Sequence, residues 1–287
     1  MDTERLVSDW VASKRIIRLM EDTALCKENL ERFMIAYHNK ISPNNRIDDL
    51  LMDECNRKGI KCNKDTIALI RKVLTEKKPA RPPWYLLEKI STDRYEKLLS
   101  MASKERIFQC LLKYESIYPG GQQWSIPGSM YKKMVDDYDL KLEAFASPFN
   151  SQLLMYGMNF CSLFPELDKP FGSIGNFFDI SGLKGTVCAN PPFILDVIDA
   201  MIGKCFSDLE ESNNLRYFLL LPNWTDASYH NELLNSKYLK YFTTLSGGKN
   251  SFSFKDKEKR LRCNLIFCVL SVGDHKGDPK ELVDFWV

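Results

Sequence analysis

The chain has 287 residues, 44% hydrophobic and 27% charged, the balance of an ordinary globular protein of one large or two modest domains. A formal net charge of +2 excludes a global polycation that would by itself announce nucleic-acid binding. No apolar run approaches the ~18 residues of a membrane span, and Met1-Asp2-Thr3-Glu4-Arg5 lacks the basic-then-apolar pattern of a leader. Nine cysteines and three histidines (His38, His230, His275) are scattered without metal-ligand spacing. They predict reduced, buried thiols in an intracellular protein and no metal site.

In chain order, residues 1–130 read as mostly helix. Leu6, Trp10, Ile17, Met20 and Leu25 sit near helical spacing, and Leu30, Phe33, Met34 and Tyr37 continue it. Ser42-Pro43-Asn44-Asn45 is a break, followed by predicted helices over 46–58 and 64–78. Prolines at 79, 82 and 83 stop the last of these, and further helices are predicted over 92–101 and 103–115. Residues 57–81 hold nine basic residues, Arg71 and Arg81 among them, against Asp65 and Glu76. That balance makes either a phosphate-binding surface or a solvated helix face. Trp84 and Tyr85 follow directly and suit either base stacking or burial as anchors. The turn-rich loop Gly120 to Gly128 joins this half to the rest, which places a helical domain at 1–128 and a second domain at 129–287.

After a short helix over 129–137 the pattern changes to strands alternating with helices. Strands are predicted at 141–146, 176–180, 185–189, 216–222, 239–245 and 264–272. Helices are predicted at 150–162, with Leu154, Met158 and Cys161 on one face, and at 194–210 and 228–236. Alternation of this kind predicts a parallel sheet covered on both faces, an α/β fold. The last two strands lack a long helix between them and are expected as an antiparallel edge pair. This is the Rossmann-like architecture of S-adenosylmethionine-dependent methyltransferases.

Strand 185–189 stops at Asn190-Pro191-Pro192-Phe193. Two consecutive prolines have fixed φ and no N–H, and each pushes its predecessor into extended backbone. The result is a stiff hook. A nucleobase amine is a poor nucleophile because its lone pair is delocalised into the ring. The Asn190 side-chain oxygen and the Pro191 carbonyl can hold both amine hydrogens, and Phe193 can stack on the base. An Asn-Pro-Pro-aromatic sequence after a strand is the signature of adenine-N6 methyltransferases; the bland alternative is a Pro-rich turn.

Open α/β sheets bind ligands at the carboxyl ends of their strands. Candidates there are Glu143 with Ser147 and Asn150 after strand one, Asp179 after the aromatic strand, and the hook itself. Carboxylates would accept from ribose hydroxyls or an ammonium, and backbone N–H groups of the following helix would donate. Ser147-Pro148-Phe149-Asn150 stands where a glycine-rich loop is usual. Glu143 read alone is equally a polar residue at a strand start, Asp179 a cap, and Trp224 a core residue.

Glu143-Ala144-Phe145-Ala146-Ser147-Pro148-Phe149-Asn150, Phe171-Gly172-Ser173, Ala189-Asn190-Pro191-Pro192-Phe193 and Leu221-Pro222-Asn223-Trp224 resemble, in order and spacing, the catalytic region of the phosphorylated-CTD-interacting-factor family, cap-specific adenosine N6-methyltransferases. The resemblance covers roughly 115–272. It implies methyl transfer from S-adenosylmethionine to N6 of the 2′-O-methylated adenosine next to an mRNA cap. Asn190, Pro191, Pro192 and Phe193 would be catalytic, and Glu143, Ser147, Asn150, Asp179, Asn190 and Phe193 would hold the cofactor. Trp224, Thr225, Asp226 and Asn264 would bind capped RNA beginning with adenosine. Outside the resemblance, Arg71 and Arg81 of the basic run are expected to hold its phosphates, in a helical domain that would bind RNA and the cap. Lys255, Lys257, Lys259, Arg260 and Arg262 would hold phosphates, or form a solvated hairpin. Larger family members carry a WW domain that binds phosphorylated polymerase tails. Nothing in this chain resembles one, which places tail binding in doubt. A nuclear location fits a cellular protein and a cytoplasmic one fits a virus-encoded copy. Internal RNA or DNA adenine as substrate, and an inactive capped-RNA binder, are the competing readings.

Overall fold

The computed structural model describes residues 2–21, 32–35, 50, 54–55, 64–75, 80–117 and 124–286. Two compact units divide it. One holds the helical segments up to Lys89 together with Ala102–Gln122; the other holds Ile90–Met101 and everything from Gln123 onward.

The helical unit contains α1 (Thr3–Glu21), α2 (Lys64–Thr75), a 3-10 segment over Trp84–Lys89, and the later helix Lys104–Ile117. Leu6, Val7, Ile16 and Ile17 recur at helical spacing and bury one face of α1. Of the predicted helix over 46–58, residues 50 and 54–55 are described and are helical; the rest of it, the predicted break at 42–45, residues 118–123, and residues 57–63 and 76–79 of the basic run lie outside the described residues.

The second unit is built on six strands in the order β3-β2-β4-β5-β9-β6. These are β2 (Leu140–Ala146), β3 (Phe160–Ser162), β4 (Gly185–Ala189), β5 (Leu215–Pro222), β6 (Leu239–Leu245) and β9 (Leu265–Val272). Neighbours from β3 to β5 pair in parallel, and β9 pairs antiparallel with both β5 and β6. The sheet is therefore mostly parallel, in a mixed α/β fold. The last two strands do pair antiparallel, but β9 is inserted beside β5 and leaves only β6 at the edge.

Alternating side chains build two cores, as the period of two requires. Val187, Ala189, Tyr217, Leu219 and Leu221 face one core with Ile198, Met201, Ile202 and Cys205 of the helix Leu195–Glu211. Cys188, Phe218 and Leu220 face the other, with Met130, Tyr131 and Met134 of the helix Gly128–Tyr138. Helices thus cover both faces. A second small antiparallel sheet joins β1 (Trp124–Ser125) to the hairpin β7 (Ser251–Phe254) and β8 (Lys257–Arg260). No described helix is long and apolar enough to cross a membrane.

Two predicted elements are corrected. Residues 150–162 are not a helix: a 3-10 turn over Leu153–Tyr156 ends at Gly157 in left-handed backbone, and Phe160–Ser162 is the short edge strand β3. The aromatic segment 176–180 is not a strand. It is a 3-10 turn over Phe177–Asp179, because the Asn176 side chain accepts from the Phe178 N–H and caps it.

Candidate active site

Strand β4 is flanked by β2 and β5 and is buried from Thr186 to Ala189. Pro191 and Pro192 end it, and the helix Leu195–Glu211 begins immediately behind, with the Ile194 carbonyl accepting from Val197 and Ile198. The hook is thus fixed at both ends. Within it the Ile194 N–H donates to the Pro192 carbonyl at 2.8 Å. Among the described residues the Asn190 side chain makes no hydrogen bond and the Pro191 carbonyl accepts none. The two acceptors the sequence singles out thus both lack a partner among the described residues. Phe193 is half-buried and packs on the second core.

Glu143 pairs in register with Cys188 of β4 and Phe160 of β3, inside β2 rather than at its start. The residue is 3% exposed. Oε1 accepts from the Tyr131 hydroxyl at 2.7 Å. Oε2 accepts from the Ser151 hydroxyl at 2.8 Å, the Gln152 N–H at 3.1 Å and, at 3.4 Å, the Leu153 N–H. Burial pushes the carboxyl above its ordinary value, and the Tyr131, Ser151 and Leu153 hydrogen bonds pull the other way.

Ser147 and Asn150 close the turn that follows β2. Asn150 Oδ1 accepts from the Ser147 N–H at 2.7 Å and its hydroxyl at 3.0 Å, and the Ser147 Oγ accepts from the Phe149 N–H at 3.2 Å. The Ser147 carbonyl accepts from Asn150 and Ser151. Every backbone N–H from Ser147 to Leu153 (Pro148 has none) is therefore spent inside the protein. The expected helix N-terminus with free donors is absent here, because residues 150–162 do not form that helix. The turn presents a preformed wall in place of a glycine-rich cradle.

Asp179 is exposed on the 3-10 turn, and its carboxylate has no partner among the described residues. Phe177 and Phe178 of that turn lie 5.2 and 5.8 Å, centroid to centroid, from Phe145 near the end of β2. Phe178 is 39% exposed, which leaves an aromatic face open beside Asp179. Lys204 holds the turn by donating to the Ile180 carbonyl at 2.6 Å.

Trp224 is half-buried after β5 and packs on the first core. Its N–H donates to the Pro222 carbonyl at 3.0 Å, which also accepts from the Tyr229 hydroxyl at 2.5 Å. Thr225 and Asp226 are exposed. Asn264 is committed to structure: its side-chain oxygen accepts from the Gly247 N–H at 2.9 Å and its carbonyl from the Asn223 N–H at 3.0 Å. Arg71 and Arg81 belong to the helical unit and are exposed there. Of the basic run, residues 57–63 and 76–79 lie outside the described residues.

The sheet thus brings the hook, Phe145 and the post-β2 turn to one end of neighbouring strands. Glu143, Ser147 and Asn150 shape that end from within, whereas Asn190 and Asp179 present open polar atoms. Sequence reasoning missed Tyr131, Phe145, Phe178, Arg94 and Asp256. The pair Phe177-Phe178 has the aromatic pattern of a strand, which hides the turn it forms. Arg94 left no signal, since its partner Asp256 lies 162 residues away. Among the described residues no cluster of three or more His, Cys, Asp or Glu side chains is placed to hold a metal ion.

A family model described as phosphorylated CTD interacting factor 1 WW domain matches residues 86–254. This overturns the expectation that nothing in the chain resembles that domain, and with it the doubt that expectation cast on polymerase-tail binding. The matched stretch runs from the 3-10 segment at Leu86 to the end of β7. Two curated relatives, the mRNA (2′-O-methyladenosine-N(6)-)-methyltransferases of Mus musculus and Homo sapiens, are each 33% identical over 128 residues. That alignment takes in 42% of this chain and 18% of each relative. Among solved structures, a type I restriction-modification system methyltransferase subunit from Streptococcus thermophilus is similar with a TM-score of 0.34 and 10% identity, over 99% of this chain and 92% of that one. That likeness is too loose to carry an argument.

Proposed function

The chain belongs to the phosphorylated CTD interacting factor 1 family, and we propose that it methylates N6 of adenosine in RNA, with the cap-adjacent 2′-O-methyladenosine of mRNA as its specific target. The observation that carries this reading is the hook. It is a rigid turn at the carboxyl end of a central strand whose Asn190 amide and Pro191 carbonyl have no partner among the described residues. Both relatives bear the name of that activity.

The residues fit S-adenosylmethionine as methyl donor. Asp179 offers an open carboxylate for hydroxyl or ammonium groups, and Phe178 and Phe145 offer aromatic surface beside it. The turn Ser147–Asn150 contributes its fixed shape. When bound, the donor supplies a methyl group already activated on a sulfonium. The protein's task is then positioning and polarisation. Asn190 and Pro191 each accept one hydrogen of the amine and favour its pyramidal form. Held so, the nitrogen would present its lone pair to the donor's methyl group, and the surplus amine proton would leave to solvent. Phe193 and Trp224 flank the base. Arg71, Arg81 and the exposed hairpin cations Lys257, Lys259 and Arg260 hold phosphates.

The test is transfer of labelled methyl from S-adenosylmethionine to matched short RNAs beginning with A or G, capped or uncapped. Label confined to capped A-start RNA supports the proposal. Equal label on uncapped RNA moves the substrate to internal adenine, and no label on any RNA or DNA overturns the enzyme reading.

A further inference from the structure

Arg94 has no part in the site as built so far, yet it is 1% exposed. It projects from the helix Thr92–Leu99 within the sheet unit. Its Nε and Nη2 reach the two carboxylate oxygens of Asp256 at 2.7 and 2.6 Å, a bidentate fork. Its Nη1 donates to the Ser151 carbonyl at 2.7 Å and the Pro148 carbonyl at 3.2 Å. Ser91 completes the cluster through its hydroxyl on Asp256 at 2.5 Å. Burial alone would raise the Asp256 carboxyl, but the Arg94 hydrogen bonds and charge hold it below its ordinary value.

The position of the cluster gives it meaning. Pro148 and Ser151 bracket the turn after β2, and Glu143 grips the same turn through Ser151 and Gln152. In the parallel register Glu143 stands opposite Cys188, two residues before Asn190. The turn and the hook therefore leave adjacent strands at the same end of the sheet. Asp256 lies at the tip of the β7–β8 hairpin, in left-handed backbone with Lys255. One guanidinium thus ties the hairpin to the wall beside the hook. Arg94 is buried while the Asp256 side chain keeps 22% of its surface exposed; burying the guanidinium costs desolvation that the pairing offsets with little net stability, and what the pair contributes is placement.

We propose that Arg94 is a positioning residue for the methyl-donor side of the reaction, acting through Asp256 and the Pro148 and Ser151 carbonyls to fix the turn beside the hook. This rests on the methyl-transfer reading above. Arg94→Lys keeps the charge but loses the planar fork. Asp256→Asn keeps the shape and loses the charge. Arg216→Lys is the control. Arg216 is equally buried at the amino end of β5, where it donates to the Tyr138 and Lys276 carbonyls.

For each variant, S-adenosylmethionine Kd is measured by calorimetry, KM and kcat on capped A-start RNA, and Tm. Arg94→Lys and Asp256→Asn are expected to raise the Kd and KM for S-adenosylmethionine by about 10- to 100-fold, the scale of a misplaced binding wall. Arg216→Lys should lower Tm by a similar amount with both constants within about twofold. Arg94→Lys and Asp256→Asn variants that lose Tm like the control, but keep wild-type Kd and KM, overturn the inference and leave the methyl-transfer reading standing. A wild-type protein that binds no S-adenosylmethionine overturns that reading and this one together. If Arg94→Lys does not fold, Asp256→Asn decides by the same criteria.

Discussion

Replacing Glu143 with alanine removes the acceptor for four donors in a buried place. The Tyr131 and Ser151 hydroxyls can rotate toward other partners. The Gln152 and Leu153 N–H groups cannot, because the backbone fixes their direction. Two orphaned backbone donors at about 1–3 kcal/mol each give a loss of about 2–6 kcal/mol. That is a large share of the ~5–15 kcal/mol typical of a folded domain. Glu143→Gln is the informative partner. Its Oε1 can accept the three donors now on Oε2, and its Nε2 can donate to Tyr131, so the loss should stay under about 1 kcal/mol. Denaturant midpoints at constant m-value measure both. Burial raises the Glu143 pKa above the ordinary 4.5, so the folded chain holds this proton more tightly than the unfolded one. The contribution is full below about 4.5 and fades as pH rises through the raised value. Glu143→Gln should flatten that slope. An alanine variant as stable as wild type, or a glutamine variant as damaged as alanine, would refute the assignment of Glu143 to the turn.

Asp256 has the opposite sign: its lowered pKa makes its contribution full above the ordinary 3.8 and lost as pH falls through the folded value. Asp256→Asn should therefore reduce the acid-side loss of stability, read from Tm between pH 3 and 6. Gly247→Ala would place a Cβ 2.1 Å from the Arg262 carbonyl oxygen. Neither backbone can yield cheaply, so faster amide exchange around Gly247 and Asn264 is expected, and unchanged exchange would count against the packing described. Tyr229→Phe removes the hydroxyl bond to the Pro222 carbonyl and should cost about 1 kcal/mol. Charge reversal at Lys257 and Lys259 should weaken RNA binding and shallow its salt dependence; an unchanged salt slope, measured by fluorescence anisotropy, would remove the hairpin from the RNA path.

The hook, β4, β5 and β9 were legible because their residues obey short-range rules. Leu215–Pro222 and Leu265–Val272 are apolar runs too short for helices, and two prolines leave little backbone choice. The errors arose where a side chain overrode the pattern. Leu154, Met158 and Cys161 have helical spacing, but Gly157 breaks the turn and Cys161 goes into an edge strand. Phe177 and Phe178 read as strand, yet the Asn176 cap and packing on Phe145 fold them into a turn. Glu143 was found, but its partners set its role, and Tyr131 and Ser151 are not adjacent to it in sequence. Arg94 and Asp256 each look like solvated charges until the fold brings them together.

Asn190 is proposed to speed transfer chiefly through the amine, beyond any contact it makes with the donor. Single-turnover methyl transfer to capped A-start RNA, with S-adenosylmethionine saturating, tests it in wild type and Asn190→Ala, alongside donor Kd. The expected result is a rate loss of about 100-fold or more, as for removal of one preorganised hydrogen-bonding group at a reacting centre, with donor Kd within about threefold and the wild-type product identified as N6-methylated. An Asn190→Ala protein that transfers at the wild-type rate would contradict it.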